Sequence, residues 1–203
     1  MNYKNGKKRL IDILISLGLL VIFFPFIIFA AAVGIIIFRG TPFFSQERSL
    51  SFKHRRFKVH KFKTIALNRI NEGKSIFLNS PYHIPNKWLK YLRSSGLDEL
   101  PQLLNVLKGE MSLVGARPFS INDLHFLMKN DPKYYFEREK LRQAPGITGI
   151  WQIYGDRRMG AENLLSLEKY YEDNSSFAMD ILVLIETYSI LLFAKHRNSI
   201  ISQ

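Results

Sequence analysis

Two adjacent carboxylates, Asp98 and Glu99, mark the stretch LRSSGLDELPQLLNVLKGEMSLVGARP, and a proline follows two residues after them. Proline is tolerated in the first turn of a helix, where acidic side chains meet unpaired N–H groups and the positive end of the helix dipole. The pair therefore predicts a capped helix start. Arg93 and Arg117 stand on either side of it. We expect a carboxylate in this setting to have a lowered pKa, so that it is ionised near neutral pH and available as a nucleophile or a metal ligand.

The residues around the acid pair predict the helices that position it. In NKWLKYLRSSG, apolar side chains follow a helical spacing, with Asn86 as the cap and Gly96 as the stop. The segment DELPQLLNVLKG then predicts a second helix that ends at Gly109. Its predicted buried stripe consists of Leu100, Leu103, Leu104 and Leu107. The acids are thus expected at the open end of an otherwise apolar helix.

The composition limits the classes of protein and partner. With 203 residues, 47% of them hydrophobic, the chain is long enough for one compact domain with its own core. Its formal net charge of +12 indicates an anionic partner: a nucleic acid, a phosphorylated small molecule or an anionic membrane face. Cysteine is absent, which excludes a disulfide framework, a thiol nucleophile and a cysteine metal site.

The run LIDILISLGLLVIFFPFIIFAAAVGIIIF, Leu10 to Phe38, contains apolar and small residues interrupted only by Asp12 and Ser16. It is longer than the ~20 residues that a membrane-spanning helix needs, so it predicts a membrane segment. A cleaved signal peptide has a shorter apolar core of ~7–15 residues, and a buried core helix of this length is hard to cover in so small a domain. Both alternatives are therefore disfavoured.

Basic residues flank the membrane segment on both sides: Lys4, Lys7, Lys8 and Arg9 before it, and Arg39, Arg48, Lys53, Arg55 and Arg56 after it. The positive-inside rule therefore draws both ends toward the cytoplasm, which one straight span cannot satisfy. Pro25 lies near the middle and removes a backbone donor, so a break there would return the chain to the same face. Because proline kinks also occur in ordinary spans, these features leave a re-entrant segment and a full span both open.

The segment TPFFSQERSLSFKHRRFKVHKFKT, Thr41 to Thr64, interleaves aromatic and basic residues, and its alternation predicts short strands or a hairpin near the membrane surface. Its lysines Lys61 and Lys63 either collect phosphate or lie on a solvated basic face against anionic lipid. Nucleic-acid binding is disfavoured because no recognised nucleic-acid-binding module accompanies these residues. The polar stretch Asn68 to Asn86 predicts a loop, with room for a short helix within it.

Two segments in the second half of the chain each have two interpretations. APGITGIWQIYG contains Trp151 and the amide of Gln152; it predicts a loop that shapes a base or sugar pocket, unless its glycines and proline only make turns and Trp151 only fills the core. MDILVLIETYSILLF, Met179 to Phe193, is apolar but includes Asp180 and Glu186. This favours an amphipathic helix, on the membrane or against the core, over a second span.

Five motifs occur in one order along the chain: KRLID at Lys8 to Asp12, PFFSQER at Pro42 to Arg48, KFKT at Lys61 to Thr64, LDELPQLLNVLKGEMSLVGARP, and PGITGIWQIYG at Pro145 to Gly155. This set resembles the bacterial sugar transferases, the polyprenyl-phosphate sugar-1-phosphate transferases that are also called monotopic phosphoglycosyl transferases. The resemblance covers nearly the whole chain, and the short length is similar to the minimal form of the family.

The resemblance implies a reaction and a role for each acid. The family transfers a sugar-1-phosphate from a nucleoside diphosphate sugar, here expected to be a UDP-sugar, to undecaprenyl phosphate or another polyprenyl phosphate, and so initiates bacterial glycoconjugate or exopolysaccharide synthesis. By this resemblance Asp98 is the nucleophile that forms a covalent phosphosugar intermediate. Glu99 supports the metal-bound site and helps to deprotonate the acceptor. Both acids are the expected ligands of Mg²⁺, a cation that suits carboxylate and phosphate oxygens.

The same resemblance implies a set of substrate contacts. Cations are expected to offset the charge of the diphosphate and of the transition state. The expected contacts are Lys61, Arg93, Arg117, Lys63, Arg157 and Gln152. Each has a structural alternative, since the lysines suit a solvated strand and the arginines suit ion pairs with the two acids.

Some residues depart from the family pattern. GARP stands where the family usually has GPRP, so Ala116 is expected to loosen the turn that holds Arg117. Lys63 stands where arginine is common, which replaces a planar fork with a point charge. Asp156 and Arg157 differ from the commoner ending after the PGITG segment, in a region that bears on nucleotide or sugar contacts.

Residues and resemblance together predict an α+β, mostly helical, membrane-associated monotopic domain. Residues 1–40 are expected to form a re-entrant helix broken at Pro25, with Lys8, Arg9 and Asp12 as anchors and Lys8 as the partner of Asp12. Residues 41–203 are expected to form the catalytic domain, with interfacial amphipathic helices, on the cytoplasmic face of the bacterial inner membrane. A homodimer, a non-catalytic membrane-associated scaffold and another membrane enzyme acting on lipid phosphate stay open as alternatives.

Overall fold

The computed structural model describes residues 5–65, 84, 86–156 and 159–192. The helices are α1 (Asn5–Phe38), α2 (Lys87–Ser94), α3 (Leu103–Leu107), α4 (Ile121–Asn130), α5 (Pro132–Arg138), α6 (Ile150–Tyr154), α7 (Gly160–Asn174) and α8 (Phe177–Leu192). The strands are β1 (Phe43–Ser49), β2 (Phe57–Phe62), β3 (Ser112–Val114), β4 (Phe119–Ser120) and β5 (Gly146–Thr148). This confirms the predicted α+β class with mostly helix. The loop predicted at Asn68 to Asn86 lies almost wholly outside the described residues.

The apolar run forms one long helix, α1, of 34 residues. At ~1.5 Å per residue it is about 51 Å long, and its segment Gly6–Phe38 is apolar enough to cross a membrane. The helix continues through Pro25, so the chain does not leave the helical conformation there, and the predicted re-entrant bend at Pro25 stays a prediction. Proline removes a single backbone hydrogen bond, and a membrane helix can tolerate that loss by local adjustment without ending.

The first turns of α1 are tied to the rest of the protein by polar contacts. Lys8 forms a salt bridge with Asp180 on α8. The guanidinium of Arg9 donates to a carbonyl oxygen of α3 at 2.8 Å. The buried carboxylate of Asp12 accepts a hydrogen bond from Ser112 Oγ at 2.7 Å. The predicted anchoring residues therefore connect α1 to α3, β3 and α8.

The second half of α1 packs against a different part of the protein. Ala30 is buried in a cluster with Phe62 of β2 and Leu92 of α2. The ring of Phe29 meets the ring of Trp88 edge to face, with 5.4 Å between the ring centroids. Between the two contact regions, the apolar side chains of Val21, Ile22 and Phe24 on α1 are each at least 60% exposed. The helix is therefore held at both ends and uncovered in the middle.

The aromatic and basic segment forms an antiparallel hairpin of β1 and β2, which confirms the prediction of short strands. The alternating side chains explain the pairing, because Phe57 and Val59 are buried in the core while Lys58 is exposed. Strand β4 adds to the other edge of β1, and β3 pairs with β5 in a separate parallel sheet. The hairpin packs on the 3₁₀ segment Leu97–Gln102, which carries the two acids.

The helices around the acid pair follow the predicted boundaries with one change. Asn86 caps α2 by accepting the N–H of Leu89 at 2.8 Å, and α2 ends before Gly96. The predicted second helix begins as the 3₁₀ segment and becomes α-helical only in α3. Its tighter start shifts the buried face, so that Val106 is fully buried and the predicted core residue Leu104 is 46% exposed.

Helix α8 covers the core with one side and leaves the other side uncovered. Val183 is buried in the main core cluster, whereas Leu182, Ile185 and Tyr188 are each more than half exposed. This distribution confirms that the C-terminal apolar segment is an amphipathic helix against the core.

Candidate active site

The acid pair lies in a sharp connection between α2 and α3. Gly96 adopts a left-handed conformation, with φ of 72°, and its carbonyl oxygen accepts the N–H of Glu99 at 3.0 Å. A residue with a side chain is strained at such a φ, so glycine suits this position. The turn places Asp98 and Glu99 at the start of the 3₁₀ segment, where Asp98 is 6% exposed.

Two of the predicted cations lie beside the acids. Lys61, on β2, forms a salt bridge with Glu99. The charges of Lys61 and Arg93 both act on the carboxylate of Asp98. Arg93 also donates to Thr64 Oγ1, at 3.3 Å, so the end of β2 and the end of α2 meet at the dyad. The structure therefore brings together four of the predicted site residues.

Burial dominates the electrostatics of the nucleophile candidate. Burial, the largest cause, and the neighbouring charge of Glu99 together raise the pKa of Asp98 to about 7, against the attraction of Lys61 and Arg93. The expectation of a lowered pKa at a helix start is therefore wrong for this protein, because burial outweighs the cations. Burial likewise lowers the pKa of Lys61, in opposition to Glu99.

Arg48 is a further cation at this site, and sequence reasoning did not assign it to the site. It lies on β1, and its charge interacts with Glu99, Lys61 and Asp123. Its Nη1 donates to the carbonyl oxygen of Pro118 at 2.9 Å. Its place in the PFFSQER motif was a usable signal, although by charge alone Arg48 is only one of the basic residues that follow the membrane segment.

Arg117 lies two residues before β4, the short strand that pairs with β1. Its Cζ atom stands 5.3 Å from the centre of the Trp151 ring, an arrangement that supports cation–π attraction. Arg48 links the Arg117–Pro118 turn to the dyad, since it contacts the Pro118 carbonyl and interacts with Glu99. Trp151 is 6% exposed, so of its two interpretations the core one is correct.

The remaining predicted contacts have other surroundings. Lys63 is 8% exposed, and its Nζ lies 5.4 Å from the centre of the Phe38 ring at the end of α1. Gln152 lies on α6, and its Oε1 is buried without a hydrogen-bond partner in the described part of the chain. Arg157 lies outside the described residues.

The glycines of the GARP and PGITG motifs let two backbones approach closely. A Cβ atom on Gly115 would come within 2.2 Å of the Ala144 carbonyl oxygen, so a side chain cannot fit there. Ala116 is buried, and its N–H donates to the same oxygen at 3.2 Å. The expectation that Ala116 loosens the turn stays a prediction, and this hydrogen bond, which proline would lack, acts against it.

Two adjacent carboxylates are the donor set that this site offers to a metal. Within the described ranges, no group of three or more histidine, cysteine, aspartate or glutamate side chains forms a metal-binding cluster. Mg²⁺ commonly binds one or two protein carboxylates and completes its coordination with water and phosphate oxygens. Lys61 and Arg93 lower the pKa of Asp98 but do not offset burial, so a further cation beside this carboxylate is compatible with the site.

Comparison with known proteins gives the family. The chain is 30% identical to the exopolysaccharide production protein ExoY of Sinorhizobium fredii, over 89% of this chain and 83% of that protein. It is 33% identical to the uncharacterized sugar transferase EpsL of Bacillus subtilis, over 93% and 88% respectively. It is 30% identical to the undecaprenyl-phosphate galactose phosphotransferase of Salmonella typhimurium, over 91% of this chain but only 40% of that longer protein. The family model described as bacterial sugar transferase matches residues 3–194, so the chain belongs to the bacterial sugar transferase family and is a transferase.

Proposed function

We propose that this protein transfers a sugar-1-phosphate from a UDP-sugar to undecaprenyl phosphate, or a related polyprenyl phosphate, in bacterial polysaccharide synthesis. The buried Asp98, next to Glu99 and beside Lys61 and Arg93, is the observation that carries the proposal. The name of the Salmonella relative supports the acceptor and the phosphosugar group. The net charge of +12 suits two phosphorylated substrates and an anionic membrane.

In the first step, an Asp98 carboxylate oxygen attacks the phosphorus that bears the sugar. A bond forms between that oxygen and phosphorus, and the bond from phosphorus to the bridging oxygen breaks, so that the nucleoside monophosphate leaves with the electron pair. Lys61, Arg93 and Arg117 offset the negative charge that gathers on the phosphoryl oxygens. The Asp98 carboxylate is then held as a mixed anhydride with the phosphosugar.

In the second step, the lipid phosphate attacks the same phosphorus and releases the Asp98 carboxylate. Glu99, which follows Asp98 directly in the chain, takes the proton of a lipid monohydrogen phosphate. Lys61 forms a salt bridge with Glu99, which orients that carboxylate toward the site. The products are a polyprenyl diphosphate sugar and the regenerated enzyme.

Asp98 and Glu99 are the residues that would hold Mg²⁺ in this proposal. The ion supplies positive charge that offsets the repulsion between the carboxylates and the diphosphate. We expect chelation with EDTA to abolish turnover, and excess Mg²⁺ to restore it, as measured by release of nucleoside monophosphate. Undiminished turnover in thoroughly chelated protein would show that the acids work without a metal.

The membrane arrangement in this proposal is a re-entrant one, with the active site on the cytoplasmic face of the inner membrane. The contacts of Asp12 at one end of α1 and Ala30 toward the other, both with the rest of the protein, support it. A helix that crossed the bilayer straight would carry one of these ends away to the opposite face. The uncovered apolar middle of α1 and the exposed side of α8 would face lipid acyl chains.

The covalent intermediate gives the most direct test. Purified protein is incubated with a panel of UDP-sugars labelled in the sugar, without lipid acceptor, and is then digested for mapping of the label. We expect the label on Asp98, no label on an Asp98→Asn variant, and loss of label when undecaprenyl phosphate is added. A label mapped to another residue, or turnover without a labelled state in a folded protein, contradicts the proposed two-step mechanism.

A further inference from the structure

We propose that Arg138 and Glu168 are positioning residues, which place the guanidinium of Arg117 by holding the backbone of that residue. Neither belongs to a motif that carried the family resemblance, and they lie 21 and 51 residues away from Arg117 along the chain. The inference rests on the proposed function, in which Arg117 contacts a substrate phosphate.

The contacts form a closed ring of three residues. The backbone N–H of Arg117 donates to Glu168 Oε1 at 2.9 Å. The backbone carbonyl oxygen of Arg117 accepts a hydrogen bond from Nη2 of Arg138. The ring closes with the salt bridge between Nη1 of Arg138 and Oε2 of Glu168. Both backbone polar groups of Arg117 are therefore bound by one buried ion pair.

This ion pair is itself held firmly. Arg138 is 1% exposed and Glu168 is 3% exposed. Nε of Arg138 donates to the carbonyl oxygen of Leu50 at 2.9 Å, and its Cζ lies 4.1 Å from the centre of the Phe119 ring. All three nitrogens of this guanidinium are therefore engaged, and one face of it is covered, so that it has a single available orientation.

The energetics indicate a role beyond stability. A buried ion pair costs desolvation of both charges, and an apolar pair of similar volume often stabilises a fold equally well. The specific property of this pair is its geometry, since Glu168 accepts an N–H group and Arg138 donates to a carbonyl of the same residue. An apolar pair would fill the volume but leave both backbone groups of Arg117 unpaired.

Fixing the backbone of Arg117 determines where its side chain begins. With the N–H and carbonyl of Arg117 bound, the direction of its Cβ is set, and the ring of Trp151 then limits the path of the guanidinium. Arg48 adds a third fixed point by donating to the carbonyl of Pro118. Catalytic groups act only within small tolerances of position, so a turn held at three backbone groups suits a phosphate-binding arginine.

A double-mutant cycle tests the inference in the full-length protein. Glu168→Gln keeps the size of the side chain but places an amide against Arg138, and its effect is measured with and without Arg117→Ala. We expect Glu168→Gln alone to lower kcat/KM for nucleoside monophosphate release at least tenfold, and to lower it less than twofold further in the Arg117→Ala background. A residue that acts through Arg117 has little left to lose when the guanidinium is absent.

A matched control and a second variant make the outcome decisive. Glu139→Gln makes the same chemical change one residue after Arg138 and breaks a salt bridge with Lys53, without touching Arg117; we expect turnover within twofold of the unchanged protein. If Glu168→Gln does not fold, Arg138→Lys takes its place in the cycle, because it retains the charge but loses the guanidinium fork.

The outcomes separate the two proposals. Equal fold-losses from the positioning variant in both backgrounds overturn the inference, since they indicate a general structural effect. Unchanged turnover for Arg117→Ala alone instead overturns the proposed phosphate contact of Arg117. The positioning variants should also leave Asp98 labelling possible but slower, which a collapsed fold would not.

Discussion

At the scale of single residues, the proposed nucleophile must carry a negative charge in a place where burial disfavours that charge. A nucleophilic carboxylate must be ionised, but Asp98 is buried, and its pKa is raised to about 7. Lys61 and Arg93 reduce this cost without removing it. The protein therefore holds a carboxylate whose ionised form a further cation would stabilise, and the Mg²⁺ of the proposed function would act on the same side chain as Lys61 and Arg93.

The raised pKa predicts that Asp98→Asn stabilises the metal-free protein above neutral pH. The carboxyl has a pKa of about 7 in the folded protein, against an ordinary value of 3.8. At a pH between these two values it is protonated when folded and ionised when unfolded, so unfolding releases a proton. Stability is therefore lost as the pH rises through this window, at about 1.4 kcal/mol for each pKa unit, and the full loss is present above about pH 7. Asparagine carries no such cost.

Thermal unfolding in EDTA measures this effect. We expect Asp98→Asn to raise Tm by several degrees at pH 8, and to raise it by much less at pH 5, where the carboxyl of the folded protein is still protonated. An unchanged or lower Tm at pH 8 would indicate that the cations compensate fully for burial. The same variant should have no transferase turnover, which separates its stability from its activity.

The geometry of Arg117 predicts a graded response to substitution. Arg117→Ala removes both the charge and the planar fork, whereas Arg117→Lys keeps the charge. We therefore expect alanine to lower kcat/KM by at least a hundredfold and lysine by about tenfold, since a charge-assisted hydrogen bond contributes about 1.5–3 kcal/mol. The measurement is release of nucleoside monophosphate at saturating lipid. Equal and small losses for both variants would fit an arginine that only packs on Trp151.

At the scale of elements, local sequence pattern predicted the individual helices and strands better than it predicted how they assemble into the site. The capped α2, the β1–β2 hairpin and the apolar helix α1 all follow from periodicity and caps in the sequence. The dyad, Lys61 and Arg93 were assigned from short motifs, and they meet in the structure. Local pattern could not predict contacts between distant segments.

Three outcomes illustrate what tertiary contact decides. Arg48 joins the site only because β1 pairs with both β2 and β4, a topology that no local pattern specifies. The pKa of Asp98 depends on how deeply the hairpin covers it, which the local dipoles and charges at a helix start do not determine. Leu104 is exposed because the helix begins as a 3₁₀ segment, which changes the face that later residues present.

The close approach of β3 and β5 predicts that the commoner family residue harms this protein. Ala116→Pro removes the N–H that donates to the Ala144 carbonyl at 3.2 Å and leaves that oxygen with fewer partners. The loss of a buried hydrogen bond costs about 1–3 kcal/mol, and the stiffer unfolded chain returns less than about 1 kcal/mol of it. We expect Tm to fall by a few degrees. Ala116→Ser, which keeps the N–H, is the control, and a Tm raised by proline contradicts the account.

At the scale of the whole molecule, the uncovered apolar surfaces and the attachment of α1 are consistent with one orientation of the protein in a membrane. The exposed middle of α1 and the exposed side of α8 are the surfaces that water disfavours most. The dyad lies on the part of the protein to which both ends of α1 attach. A re-entrant α1 would therefore put a lipid phosphate and a water-soluble sugar nucleotide within reach of one site.

Cysteine labelling tests this orientation, because the natural chain has no cysteine. Lys7→Cys and Lys53→Cys introduce single thiols at exposed positions on the two sides of α1. For a re-entrant helix, an impermeant thiol reagent should miss both in intact cells and label both after lysis. Labelling of Lys7→Cys from outside would establish a full span. We expect Pro25→Leu to increase labelling from outside, since it restores the missing backbone donor and favours a straight helix.

The buried carboxylate of Asp12 connects the apolar helix α1 to the elements beside the active site. Its partner Ser112 begins β3, the strand next to the close Gly115 contact, and the neighbouring Arg9 closes the end of α3. Misplacement of α1 would break both contacts, so the apolar helix that would enter the membrane also supports the elements beside the active site.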